Sequence, residues 1–346
     1  MERLIQVLVV DDSAFMRKMI SDMLNRNPRI NVVGTARNGQ DALKKRNKLR
    51  PDVITLDVEM PIMDGLETLK RLMDDDPCSV VMISSTTKEG AENTLLAMEY
   101  GAVDFIAKPS GAISLDIAKV EKEIAWKVIQ AANANVSRSA PKPIMKKPMR
   151  SQLNHQKKII AIGTSTGGPR ALKDVLTNLP AAICAPILIV QHMPATFTRS
   201  LAERLNSLSA IKVKEAEHGD VLEDGTAYIA PGGYHMTVRK VGSSLFIETN
   251  EEEPIRGHRP AVDKLYESLA SIKGIHTIAA IMTGMGADGT DGLIRLKKHG
   301  SCYAIAEAKE SCVVFGMPKA AIKTKLVDEV SHVNDIAERL VHACKE

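Results

Sequence analysis

The chain lacks the features that would direct it into or across a membrane. Met1-Glu2-Arg3 leads straight into an apolar run, with no secretory pattern ahead of it. No apolar stretch approaches the roughly 18 residues of a membrane span. The cysteines, Cys78, Cys184, Cys302, Cys312 and Cys344, are odd in number and follow no metal-ligand spacing. That argues against a disulfide framework or a zinc site and predicts reduced thiols in a cytoplasmic protein. An excess of positive charge is missing too, apart from one short segment. Residues 1–130 carry 18 basic and 20 acidic side chains, and residues 159–346 carry 21 and 22. Residues 131–158 carry seven basic and none acidic, so the net +4 lies wholly there. Neither flanking part is built for a polyphosphate, which removes nucleic acid as an expected partner.

What is present, over 346 residues, is enough for two domains with cores of their own. Residues 1–130 alternate strands (IQVLVV, NVVGTA, DVITLD, SVVMIS, VDFIA) with helical patterns near 13–25, 39–49, 65–73, 88–100 and 114–130. Five such pairs predict an α/β fold with a doubly wound, five-stranded parallel sheet. Ligands of such sheets bind beyond the carboxyl ends of the strands. Asp11 and Asp12, Asp57, Ser84 and Lys108 all stand there. Clustered carboxylates call for a cation, and oxygen-only ligands suit Mg²⁺. Lys108 and Ser84 could then hold the oxygens of a phosphoryl group on Asp57.

The VVDDS and TLDVEMPIMDG motifs, Ser84 and Lys108-Pro109 resemble the receiver domain of two-component response regulators over essentially all of 1–125. The resemblance implies phosphorylation of Asp57 by a histidine kinase, with Asp11, Asp12 and Asp57 around Mg²⁺. It further implies that Glu59 lends its backbone carbonyl to the metal, that Phe105 is a switch aromatic, and that the Lys108-Pro109 peptide is cis. Residues 126–158 are assigned to a linker, whose 131–158 stretch has three prolines and no sustained apolar period.

In 159–346 the key stretch is KIIAIGTSTGGP at Lys158–Pro169. An apolar strand breaks into glycines and then into a helical pattern, which puts Ser165 on a sharp bend. Gly163-x-Ser165-x-Gly167 is a nucleophile-elbow pattern in its required context, and the helix behind it offers free N–H groups to an anion. A phosphate cradle or a plain helix start fits this segment alone about equally well. Farther on, PILIVQ leads to His192, and HTIAAIM leads to TGMGADG with Asp288. All three residues follow apolar strands and should meet at one rim: a nucleophile, a base and an orienting acid. His235 and His258 rival His192, and Asp291 rivals Asp288. Glycines around Thr166 and Met285 leave backbone N–H groups for an oxyanion hole. Strands of mixed length predict a mainly parallel α/β sheet with an antiparallel hairpin or edge.

The motifs GTSTGG, QHMP, APGGYH and TGMGADGTDG resemble the catalytic domain of the chemotaxis protein-glutamate methylesterases, a family of response regulators. The resemblance makes Ser165 the nucleophile, His192 the base and Asp288 its orienting carboxylate. It implies hydrolysis of glutamyl methyl esters on chemoreceptors with release of methanol, and deamidation of receptor glutamines, with no cofactor for the hydrolysis. A histidine kinase as phosphodonor and methyl-accepting chemoreceptors as substrate follow as partners, with no membrane insertion. A DNA-binding output would show a compact helical pattern and a basic face. A nucleotide-binding one would show a Walker lysine or a ribose-binding acid. Neither pattern is present.

Overall fold

A computed structural model describes residues 3–108, 117–135 and 157–345, which divide into two compact units near residue 137. The Lys108–Pro109 peptide lies outside the described residues.

In the first unit β1 (Ile5–Val10), β2 (Ile30–Ala36), β3 (Val53–Asp57), β4 (Ser79–Ser84) and β5 (Asp104–Ala107) alternate with α1 (Ala14–Asn25), α2 (Gly39–Leu49), α3 (Gly65–Asp75), α4 (Lys88–Tyr100) and α5 (Ile117–Ala132). The sheet is parallel throughout, in the order β2-β1-β3-β4-β5. Its strands read as unbroken apolar runs because helices cover both faces, and Val7, Leu8, Val9 and Val10 are fully buried. Ser13, Asn38, Asp64 and Thr87 each accept a first-turn amide of the helix they precede, which is why those helices begin where they do. Gly65 has no alternative: a Cβ there would come within 2.1 Å of the Asp57 carbonyl oxygen. Helix α5 runs to Ala132, so residues 126–132 are helical, although the linker was expected to start at 126.

The second unit begins with β6 (Lys157–Thr164), α6 (Gly168–Leu176), β7 (Ile187–Gln191), α7 (Ala195–Leu208), β8 (Lys212–Glu215) and β9 (Thr226–Ile229). A hairpin of β10 (His235–Val241) and β11 (Ser244–Asn250) follows, then α8 (Val262–Ala270), β12 (Ile275–Ile281), α9 (Thr290–His299) and β13 (Ser301–Glu307). The unit closes with α10 (Met317–Lys323), β14 (Glu329–Ser331) and α11 (Val333–Lys345). Seven strands form one parallel sheet in the order β14-β13-β12-β6-β7-β9-β8. The expected antiparallel element is a separate two-stranded sheet, packed through Met236, Val238, Leu245 and Ile247 onto the core that includes Leu265 and Tyr266. From β6 the chain moves to one side, laying down β7, then β8 at the sheet edge, then β9 between them. It then crosses to the other side through β12, β13 and β14. The strand order therefore reverses beside β6, where such sheets open a crevice. Among the described residues no helix is long and apolar enough to cross a membrane.

Candidate active sites

Strand register assembles the rim of the first unit. Val10 pairs with Leu56 and Asp57 with Ile83, so Asp11 and Asp57 leave their strands side by side. Ser84 pairs with Ala107, and the Lys108 amide donates to the Ser84 carbonyl at 2.7 Å. Lys108 Nζ then reaches Asp57 Oδ2 at 2.8 Å and lies 3.5 Å from Asp11 Oδ2. Burial raises the Asp57 carboxyl to about 6 even though Lys108 pulls it down, and burial raises Asp11 in the same direction. One ammonium does not balance three acids. Oxygens of Asp11, Asp12 and Asp57 all lie within 4.8 Å of one another, and the buried Asp11 Oδ2 has no hydrogen bond among the described residues. A hard divalent cation fits that donor set.

The Ser84 hydroxyl points elsewhere, donating to the Gly90 carbonyl in the first turn of α4 at 2.9 Å. Phe105 is buried, with the Lys127 ammonium 5.0 Å from its ring centre.

At the switch point of the second unit, Ser165 leaves β6 and the chain turns sharply at Gly167, whose φ of +78° is left-handed. A Cβ at Gly167 would strike Val313 at 2.6 Å, and one on Gly284 would lie 2.8 Å from the Ser165 Cβ. Only bare backbone lets these loops close on the serine, which is 7% exposed. The closeness of Gly284 brings the Met285 segment against it. Thr164 pairs with Gln191 across β6 and β7, and the His192 amide donates to the Thr164 carbonyl at 3.3 Å, so Ser165 and His192 leave adjacent strands side by side.

His192 Nε2 lies 2.8 Å from Asp288 Oδ2. Asp288 also accepts the first amides of α8, Val262 N–H at 2.7 Å and Asp263 N–H at 2.9 Å, as well as the Gly289 amide. Burial alone would raise this carboxyl; the imidazole and the α8 amides outweigh it and bring Asp288 down to about 2. His192 Nδ1 is buried with no hydrogen-bond partner among the described residues. With Nε2 directed at the carboxylate, Nδ1 is the nitrogen left to act as a base.

The rival residues take other places. His258 stacks on His192, ring centres 4.0 Å apart and 6° from parallel. His235 is buried, its Nε2 3.1 Å from the Glu253 carbonyl oxygen. Asp291 pairs with Arg256.

Three participants were not singled out from the sequence. Thr283 is bonded to the backbone or side chain of Thr164, Ser165 and Thr166. Asp263, raised to about 7 by burial and by its neighbour Asp288, accepts the Gly292 amide. Glu307, raised to about 7 by burial, accepts the Thr283 amide. Glu307 closes an apolar strand, so the carboxyl-end rule that selected Asp57 would have found it.

Comparison with known proteins gives two family matches: CheB methylesterase over residues 160–340 and response regulator receiver domain over residues 7–118. A protein-glutamate methylesterase/protein-glutamine glutaminase of Halalkalibacterium halodurans is 61% identical over 346 residues, covering 100% of both chains. One of Bacillus subtilis with the same name is 48% identical, covering 99% of each. The crystal structure of the Thermotoga maritima CheB methylesterase catalytic domain matches with a TM-score of 0.53 at 46% identity, covering 54% of this chain and 98% of that one.

Proposed function

The chain belongs to the CheB methylesterase family and carries a response regulator receiver domain ahead of the esterase part, and from that premise we propose how its residues work. The protein is a protein-glutamate methylesterase of chemotaxis with protein-glutamine glutaminase activity. Nucleotide or DNA binding by the second unit is not favoured.

Ser165 Oγ attacks the carbonyl carbon of a glutamyl methyl ester while His192 Nδ1 accepts its proton. Asp288 keeps the other proton on Nε2 and stabilises the imidazolium that forms. The oxyanion is met by backbone N–H groups of Met285 and Thr166. Collapse expels the methoxy group, which takes the proton back from His192 and leaves as methanol, with the glutamyl group esterified to Ser165. His192 then draws a proton from water, whose oxygen attacks the acyl-enzyme; the C–Oγ bond breaks, Ser165 Oγ takes that proton back from His192, and the glutamic acid side chain leaves and ionises to the carboxylate. With a glutamine side chain the leaving group is ammonia.

The observation that carries this reading is the 2.8 Å contact from His192 Nε2 to an Asp288 carboxylate held by two helix amides, with Nδ1 left over. A fluorophosphonate label combined with methanol release from methylated receptor tests it. Wild type should be labelled and active, and Ser165→Ala neither; turnover by Ser165→Ala at the wild-type rate would refute the assignment.

Phosphorylation at the receiver domain falls to Asp57, with a histidine kinase as donor and methylated chemoreceptors as the substrate of the esterase. Asp11, Asp12 and Asp57 would hold Mg²⁺, which when bound neutralises the carboxylates and the incoming phosphoryl charge. Lys108, already on Asp57, and Ser84, after release from Gly90, hold phosphoryl oxygens. A histidine kinase as phosphodonor and reduced thiols imply action in the cytoplasm.

A further inference from the structure

The loop that carries Ser165 is held by one residue far away in sequence, just past the end of β12. The Thr283 carbonyl accepts the Ser165 amide at 3.0 Å and the Thr164 hydroxyl at 2.9 Å. The Thr283 hydroxyl donates to the Thr166 carbonyl at 2.9 Å and accepts the Val314 amide at 3.1 Å. Three successive residues centred on the serine thus depend on the placement of Thr283, which is 1% exposed.

Thr283 follows the end of β12 and has one further polar group, its amide. That amide donates to Glu307 Oε2 at 2.7 Å. Glu307 ends the neighbouring strand β13 and is 1% exposed. Its other oxygen accepts the Ser311 hydroxyl at 2.9 Å. A carboxyl buried this deeply is costly unless its oxygens are used, and both are. Ser311 also accepts the Val333 amide and lies 3.2 Å from the Ala308 carbonyl.

We infer that Glu307 is a positioning residue for the nucleophile, fixing the Ser165 bend through Thr283. The inference rests on Ser165 being the nucleophile. Glu307 touches no reacting atom. Its role is to supply the acceptor without which the Thr283 amide is buried and unpaired, and an unpaired amide would let Thr283 shift together with the three residues it holds. A misplacement of about 1 Å at a reacting group costs on the order of 100-fold in rate.

The carboxyl geometry also defines the conservative replacement. A glutamine keeps an oxygen for the Thr283 amide and turns its NH₂ toward Ser311. The Ser311 hydroxyl can then reverse and donate to the Ala308 carbonyl. Leucine fills similar space and offers no acceptor.

The test measures the second-order rate of fluorophosphonate labelling on the full-length protein, below the melting temperature of each variant. Methanol-release kinetics on the same samples separate kcat from KM. Glu307→Leu should be labelled about 10- to 100-fold more slowly, with kcat reduced and KM little changed. Glu307→Gln should stay within about threefold of wild type. Wild-type labelling of Glu307→Leu, or equal slowing of both variants, overturns the proposal. If Glu307→Leu does not fold, Thr283→Val decides: it keeps the amide and carbonyl, loses the hydroxyl bonds, and should be slowed about tenfold. A wild-type rate for Thr283→Val then overturns the proposal. Ser165→Ala separates the two ideas, because persistent labelling there refutes the nucleophile assignment itself.

Discussion

His192 and Asp288 are joined through the imidazole Nε2, 2.8 Å from Oδ2, and the same Asp288 oxygen also accepts the Val262 amide that opens helix α8. Asp288, the proposed orienting acid, is therefore held by backbone amides on both oxygens, Val262 on Oδ2 and Asp263 and Gly289 on Oδ1. That fixes the tautomer: a proton sits on Nε2 and the lone pair on Nδ1.

Replacing the nucleophile should cost chemistry and nothing else. Ser165→Ala should retain the wild-type melting temperature within a degree or two, since among the described residues no side-chain bond of Ser165 anchors the fold, while methanol release falls to background. Calorimetry alongside the release assay checks both halves of this statement.

Asp288→Asn should lower kcat by roughly 10³- to 10⁴-fold with a small change in KM, because the imidazolium loses its charged partner. The acid titration of stability should change as well. A folded-state value of about 2, below the ordinary 3.8, means this carboxylate contributes stability that is fully present above about pH 4. That contribution is lost as the pH falls through 2. Urea melts between pH 5 and 2 should therefore be less acid-sensitive in the variant; identical slopes would contradict this.

For Glu307 the sign is opposite. Its folded-state value of about 7 lies above the ordinary 4.5, so its contribution is fully present below about pH 4.5 and lost as the pH rises through 7. Glu307→Gln has nothing to titrate. Its stability should therefore fall less than that of wild type between pH 5 and 8, as read from melting temperatures in matched buffers.

In the receiver unit, Asp57→Asn should abolish any change in esterase rate on adding a small phosphodonor such as acetyl phosphate, while leaving the basal rate within about twofold. The wild-type rate should respond if, as proposed, phosphorylation of Asp57 biases the esterase joined to the receiver. A response in the variant equal to that of wild type would place the phosphoryl group elsewhere.

Much of both rims was legible from one rule, that side chains act where parallel strands end. It brought Asp57 next to Lys108 and put Ser165, His192 and Asp288 past β6, β7 and β12. It could not say where a side chain turns once there. The Ser84 hydroxyl caps into α4, a choice made by the Gly90 carbonyl beside it, which no pattern along β4 contains. Likewise His258 met His192 by stacking, through a turn at Arg256 and Gly257 with φ of 53° and 84°, although sequence alone left it a competing base. β14, with three residues, is too short to carry a period. In α10 the apolar pattern is short and opens on Gly316-Met317-Pro318, which reads as a turn.

The bond from Thr164 to Thr283 spans 119 positions. A ribosome making this chain therefore completes the serine strand long before the strand that holds its loop emerges. Contacts so distant in sequence close late and slowly during folding. The bend that carries Ser165 cannot be set until β12 arrives, and until then the growing polypeptide carries a serine with no organised means of using it.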